Sequence, residues 1–311
     1  LATLGPAGSS WYRILKEAAD KWKQVSGGRV TVRLFPGGVA GDDPDVVRKM
    51  RLGTLNAGLL TSVGVAEIDK SVYAMGIPLM YDSYEEVYWV HEKMRPKLEA
   101  SLEAKGFVVL NWADGGWVHF FAKRPVAVPD DLRKLKLFSW AGDAEAVEIW
   151  RSAGFNPVPL PSTEIATALQ TGLVEALGSP PQVAVISQFF NNAKNMTDLR
   201  WQLLQGATII TKATWEKIPA DVRPELLRVS REAGARLQKE IRDAEAKDVE
   251  AMKKRGLTVV PVSAAQRAQW QKLTESIYPR IRGKVVPAEA FDEAMRYRDE
   301  FRKQRGAAAG K

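Results

Sequence analysis

The sequence of 311 residues contains no cysteine, which rules out disulfides, thiol nucleophiles and thiolate metal sites and fits a periplasm as well as a cytoplasm. Histidine is nearly missing too: the two copies, His91 and His119, lack metal-ligand spacing with one another, so the reading assigns no metal and no cofactor. No apolar run approaches the roughly 18 to 20 residues that span a bilayer. No charged-then-apolar leader precedes Leu1, so the expectation for the chain as given is a soluble protein, whose signal, if it was exported, has been removed. Also absent are G-x-S-x-G, H-E-x-x-H, a P-loop and G-x-G-x-x-G. The paired carboxylates Asp42-Asp43 and Asp130-Asp131 are adjacent, and neighbours in sequence face apart or cap helices instead of flanking a scissile bond. The expectation is a protein that is not an enzyme.

What is present is ordinary globular material. Hydrophobic residues make up 45% and charged residues 26%, and this length suffices for two domains with a core each. The formal charge is +8, but Lys and Arg alternate with Asp and Glu along most helical stretches and form no stripe, so no nucleic-acid partner is assigned. The excess lies late, in Arg280 to Lys284 and Arg296 to Arg305, and reads as a solvated face. The end, 306–311, reads as a disordered tail.

Strand and helix patterns alternate along the chain. Leu1 to Leu4 ends a strand; Gly5 to Ser10 is a loop whose serine caps a helix starting near Trp11, with Ile14, Leu15, Ala18 and Trp22 on one face. Arg29 to Phe35 alternates as a strand, Pro44 to Leu52 is a helix behind the cap Asp42-Asp43, and Asn56 to Ser62 is a buried strand. Ser83 to Lys105 is helical. Val108 to Trp112 is a strand, Gly115-Gly116 a sharp turn, and Trp117 to Phe121 a second apolar run. Beyond Pro125 come a strand from Lys136 to Trp140, a helix from Ala144 to Ala153, short strands at 156–159 and 173–177, and an extended strand pair from Trp201 to Thr211. The pattern from Pro224 to Lys254 would make a helix of roughly 45 Å, long enough to bridge two domains. Alternating elements argue for a mostly parallel sheet covered on both faces. A small ligand would bind where loops from both halves meet.

Several segments carry a family resemblance. Phe35-Pro36-Gly37 with Gly41-Asp42-Asp43, Leu52-Gly53-Thr54-Leu55, Ile77-Pro78-Leu79, Arg124-Pro125-Val126, and Asn156-Pro157-Val-Pro159 through Ala168-Leu169-Gln170 and Gly172 resemble the solute-binding subunits of tripartite ATP-independent periplasmic (TRAP) transporters. The likeness covers nearly the whole chain. It implies an α/β, two-domain periplasmic binding protein fold of type II-like plan, with mixed sheets flanked by helices and a long hinge-spanning helix. The domains would be 1–124 plus about 206–248, and 125–205 plus about 249–305. The implied role is a periplasmic monomer that closes around a small organic solute and delivers it to the TRAP membrane permease subunits. A binding protein that signals to a receptor would share this closed state.

The departures from the family pattern bear on the ligand. By the resemblance, Phe138 stands where an arginine usually grips a substrate carboxylate, Val118 stands where a second arginine follows Gly116-Trp117, Gly178-Ser179-Pro180 replaces Glu-Asn-Pro, and Ala166 replaces an aromatic. A bidentate guanidinium suits a planar carboxylate, and a buried carboxylate without one costs several kcal/mol. The expected solute is therefore hydrophobic or aromatic, with a carboxylate held by some other anchor as the alternative. Candidate ligand contacts are Trp117, His119, Phe138, Trp140, Ser179, Asp42, Thr61, Ser62 and Gly5. Trp117, Phe138 and Trp140 are equally readable as core, with Phe138 and Trp140 sharing a face and Ser139 pointing away. His119 is either a polar contact or a satisfied core histidine, and Asp42 reads first as a cap. The remaining tryptophans at positions 22, 89, 150, 201, 215 and 270 read as core.

Overall fold

The computed structural model describes residues 1–309. Among them nine strands form one sheet: β1 (Ala2–Thr3), β2 (Ala57–Thr61), β3 (Phe107–Ala122), β4 (Lys136–Trp140), β5 (Asn156–Leu160), β6 (Ala176–Ser179), β7 (Asn195–Thr197), β8 (Gln202–Thr211) and β9 (Thr258–Val260). Their order is β1-β2-β8-β3-β6-β4-β5, with β7 joining β3 and β9 on its far side. Pairing is mixed. β1 with β2, β4 with β5 and β6, and β7 with β9 run parallel, whereas β3 is antiparallel to β6, β7 and β8. The mostly parallel sheet expected from the alternation of elements is thus interrupted by the two longest strands.

The expected turn at Gly115-Gly116 is instead a bulge inside one uninterrupted strand. β3 pairs with β8 from Phe107 to Val118, with register shifts between Val109 and Asn111 and between Asp114 and Gly116. From His119 onward the same strand pairs with β6. Gly116 takes φ 96°, a value open to glycine at little cost, so the extra residue bends the strand without ending it. Trp201 to Thr211 is one strand, not a pair, with Trp201 just ahead of it. The stretch 29–35 forms no ladder; only Phe35 bridges, to Ala2. The strand expected at 173–177 begins at Ala176. The expected tail is helical as far as Ala309, and its last two residues lie outside those described.

The helix Ser10–Val25 starts at Ser9, whose side chain accepts the Tyr12 amide, and it buries Ile14, Leu15 and Trp22. Its target is the helix Arg223–Lys253. The Trp22 indole donates to the Leu226 carbonyl and the Ser230 hydroxyl, both at 3.1 Å, so burying this polar edge leaves no orphan donor. The helix Arg223–Lys253 has 31 residues, roughly 46 Å at 1.5 Å each. It runs along β3 from the helix Ser10–Val25 at one end to the helix Pro181–Ile186 at the other. Leu226, Val229, Leu237 and Ile241 form its buried stripe. Gly234 lies on that stripe where backbone meets backbone: a Cβ there would come within 2.7 Å of the Trp112 carbonyl oxygen and 2.8 Å of the Asn111 Cβ.

The helix Asp43–Arg51 is tied to β2 by Asp43, whose Oδ2 accepts both the amide and the hydroxyl of Thr61 at 2.7 Å. Burial raises this carboxyl from the ordinary 3.8 to about 7, against the opposing pull of the Thr61 bonds.

Two outcomes follow from these contacts. An exposed helix glycine gains about 1 kcal/mol on becoming alanine, but Gly234→Ala must push the helix off β3, and overpacking of this kind costs about 1–3 kcal/mol. A fall in melting temperature is expected, and a rise would show that the helix is not held against β3. Folded Asp43 keeps a proton that the unfolded chain releases, so its contribution to stability is fully present below pH about 4 and is lost as pH rises through about 7. Asp43→Asn should flatten that decline in a melting-temperature series; an unchanged slope would place its origin elsewhere.

Candidate functional site

Parallel strands deliver their C-terminal ends, and the loops behind them, to one place. β1 leads into Leu4 to Pro6, β2 into Ser62, β4 ends at Trp140, and β6 ends at Ser179 before Pro180. These residues, with the bulge at Ala113 to Gly115 and with Gln205 and Gly206 of β8, border one cavity of about 590 Å³. Its walls are mostly apolar.

Of the expected contacts, Gly5, Thr61, Ser62, Phe138, Trp140 and Ser179 border this cavity. Gly5 is confined, since a Cβ there would meet the Trp11 Cβ at 3.0 Å. Thr61 caps the helix Ser62–Ala66 by accepting the Val63 amide, while its proton goes to Asp43. Ser179 donates to the Pro180 carbonyl at 3.1 Å. Phe138 and Trp140 pack edge to face, with ring centroids 5.6 Å apart. Ser139, expected to point away, is buried and borders the cavity as well.

Trp117, His119 and Asp42 do not border it. The bulge resets the alternation of β3, so Val118 and Phe120 take the cavity side and Trp117 and His119 the other. Trp117 is 1% exposed, against Tyr84 at 5.4 Å and beneath the Arg200 guanidinium. His119 is buried with Nδ1 3.0 Å from the Thr197 carbonyl, and burial lowers its pKa. Asp42 caps the helix Asp43–Arg51 through the Asp43 amide, as its first reading had it. It also holds a residue far along the chain. Its Oδ2 accepts the Ser162 amide and its Oδ1 the Ser162 hydroxyl, both at 2.7 Å. Nearby, the Tyr73 hydroxyl donates to Asp143 at 2.8 Å and Lys70 pairs with Glu145 at 2.6 Å.

Sequence reasoning did not find Tyr73, Phe120, Trp150, Trp201 or Phe189 on the cavity wall. Trp150 and Trp201 were expected as core, and they do stack within it at 5.7 Å, but both also border the cavity. Phe120 could have been placed by counting alternation from the bulge.

Charge on this wall is one-sided. Among the described residues no Lys, Arg or His borders the cavity, and the charged residues that do are Asp114 and Asp143. Burial raises Asp114 to about 6 while its Oδ2 accepts the Tyr88 hydroxyl. Asp143 is occupied by Tyr73 and by the Ala146 amide of the helix that it caps. Several hydroxyl protons are also committed, those of Thr61, Ser162, Tyr73 and Ser179 all going to protein oxygens. The Trp140 Nε1 is buried without a protein acceptor. Among the described residues no cluster of His, Asp and Glu is placed to hold a metal ion, and no helix is long and apolar enough to cross a membrane.

Known proteins share this architecture. The chain is similar to the C4-dicarboxylate-binding periplasmic protein DctP of Rhodobacter capsulatus, 26% identical over 274 residues that cover 87% of this chain and 81% of that one. It is similar to the 2,3-diketo-L-gulonate-binding periplasmic protein YiaO of Escherichia coli, 25% identical over 79% of this chain and 75% of that one. A crystal structure of a TRAP periplasmic solute-binding protein from Ralstonia eutropha H16 with bound (S)-2-acetolactate superposes with a TM-score of 0.89 at 19% identity, covering 96% of this chain and 98% of that one. The likeness is that of the two-domain periplasmic binding fold. The model of the bacterial extracellular solute-binding protein family 7 (DctP) matches residues 1–284, and the chain belongs to that family, the solute-binding proteins of TRAP transporters.

Proposed function

We propose that this protein captures an uncharged, hydrophobic or aromatic organic solute in the cleft and hands it to a TRAP membrane permease. The family consists of transporter binding proteins, not enzymes, and works with such permeases; we place this chain with it in the periplasm. The observation that carries the ligand reading is the charge of the wall, on which the described residues include no Lys, Arg or His. A carboxylate closed into such a space would keep its charge with no counter-ion, beside Asp114 and Asp143, and desolvating an unpaired charge costs several kcal/mol. An aromatic solute loses nothing there, since Phe138, Trp140 and Phe189 offer apolar faces.

We take residues 1–124 with about 206–248, and 125–205 with about 249–305, as the two lobes. On that division the Asp42–Ser162, Tyr73–Asp143 and Lys70–Glu145 contacts all join one lobe to the other. The exposed lysine pair adds little. The hydrogen bonds accepted by Asp42 are shielded, since Asp42 is 7% exposed, and bonds to a charged group are worth about 1.5–3 kcal/mol. Closure is then held in large part by protein–protein bonds, as suits a ligand that brings no charge of its own.

Calorimetry of the purified protein should show weak or no binding of succinate or malate, while native mass spectrometry of the extracted protein should reveal an uncharged apolar solute. Phe138→Arg should raise succinate affinity at least tenfold, because one guanidinium–carboxylate pair supplies more than the 1.4 kcal/mol that a decade requires. Tight succinate binding by the native protein would overturn the ligand reading. For closure, Ser162→Ala combined with Tyr73→Phe removes two cross-lobe bonds and should weaken binding of the retained solute by roughly tenfold or more. Small-angle scattering should show compaction on solute addition in the native protein and less of it in the double variant; equal compaction in both would assign closure to other contacts.

A further inference from the structure

We propose that the cavity continues past the cleft into an apolar arm that takes the hydrocarbon tail of the solute, so that the ligand is an uncharged amphiphile with a small alcohol or amide head. This rests on the reading of the cleft as a site for an uncharged solute and adds the shape and the second half of that solute.

The arm follows from which faces of β4 the cavity touches. Leu137 and Phe138 are neighbours in a strand and so point to opposite faces, and they belong to different apolar clusters. Both border the same cavity. On the Phe138 side the wall continues as Ile165 and Phe189; on the Leu137 side it continues as Ile149, Trp150 and Ile277. The space therefore rounds the end of the strand and runs on between the helices Ala144–Ser152 and Ala264–Lys284.

A break in the second of those helices shapes the far wall. Arg282 (ψ 117°) and Gly283 (φ 88°) leave helical geometry, and the Gly283 amide donates to the Val286 carbonyl at 2.7 Å. The chain doubles back, and Val285 and Val286 both border the cavity. Trp150 and Trp201, stacked at 5.7 Å and 27°, supply a flat, stiff side. Protein interiors contain few voids larger than a water molecule, and an apolar cavity stays dry and admits apolar guests. About 590 Å³ lies within the roughly 300–1,000 Å³ of sites for drug-sized ligands, more room than a four-carbon acid needs.

The head group is set by what lies at the other end. Thr61, Ser62, Ser179 and Gln205 border the cleft. Thr61 and Ser179, their protons spent on Asp43 and Pro180, can still accept from an alcohol or amide, Ser62 and Gln205 can both donate and accept, and none brings a charge to balance an ion.

The test titrates the whole protein, freed of retained solute, with straight-chain 1-alkanols of increasing length up to 1-decanol, with benzyl alcohol as a compact aromatic probe and succinate as the charged one. Affinity should rise about fourfold for each added methylene that enters the arm. Val285→Trp, at a partly exposed position where a larger ring need not displace core, should lower the ratio of 1-decanol to benzyl alcohol affinity at least tenfold. Should that variant melt early, Ala153→Phe fills the arm from the other helix and must give the same fall. If native protein binds benzyl alcohol with no gain along the alkanol series, the arm is closed to ligand and the inference fails while the cleft reading stands. If no uncharged probe binds and succinate does, both fail.

Discussion

Everything at the cleft depends on β3 running unbroken through the middle of the sheet past a bulge at Asp114 to Gly116. The strand is the shared member of both halves, pairing with β8 up to Val118 and with β6 from His119. The bulge at Asp114 to Gly116 decides which way each later side chain faces, because a shift of one residue exchanges the two sides of a strand. Phe120 is thereby turned to the cavity, and Trp117 is turned to Tyr84 and Arg200. A neighbouring constraint keeps the strand where it is: the helix Arg223–Lys253 approaches it closely enough at Gly234 that no side chain fits between.

The elements with strong local signals were legible in the sequence. Ser9 and Asp42 both cap the helices predicted behind them, and the helix expected from Pro224 to Lys254 is observed from Arg223 to Lys253, because caps and the 3.6-residue period act over a few residues. The side of a strand that faces a cavity is not local information. Trp117 and His119 were candidate contacts, but the side each faces depends on whether Gly115-Gly116 makes a turn or a bulge, and a glycine pair reads alike for both. The stretch 29–35 alternates as well as any strand, yet Phe35 alone finds a bridging partner, since alternation shows fitness for a sheet and not the presence of a neighbour. Thr61 and Ser179 border the cavity, yet nothing in the sequence showed that their protons are committed to Asp43 and Pro180.

The electrostatics of the site and its mechanics point the same way. A wall bordered by Asp114 and Asp143, and by no cation among the described residues, is the basis for proposing a solute that enters without charge. Such a solute contributes area instead of ion pairs, and area alone is not directional. Direction comes from the protein, where hydroxyls and carboxylates on facing segments meet in fixed pairs.

Asp42 takes part in two structures at once, capping the start of one helix and holding Ser162. Half of that hold is a bond to the backbone amide of residue 162, which any residue but proline would supply. Variation among descendants is therefore channelled. A change at Asp42 damages the local helix together with the grip, whereas changes at 162 remove only the hydroxyl share, so the strength of the grip can drift in small steps at one of its two ends while the other stays fixed.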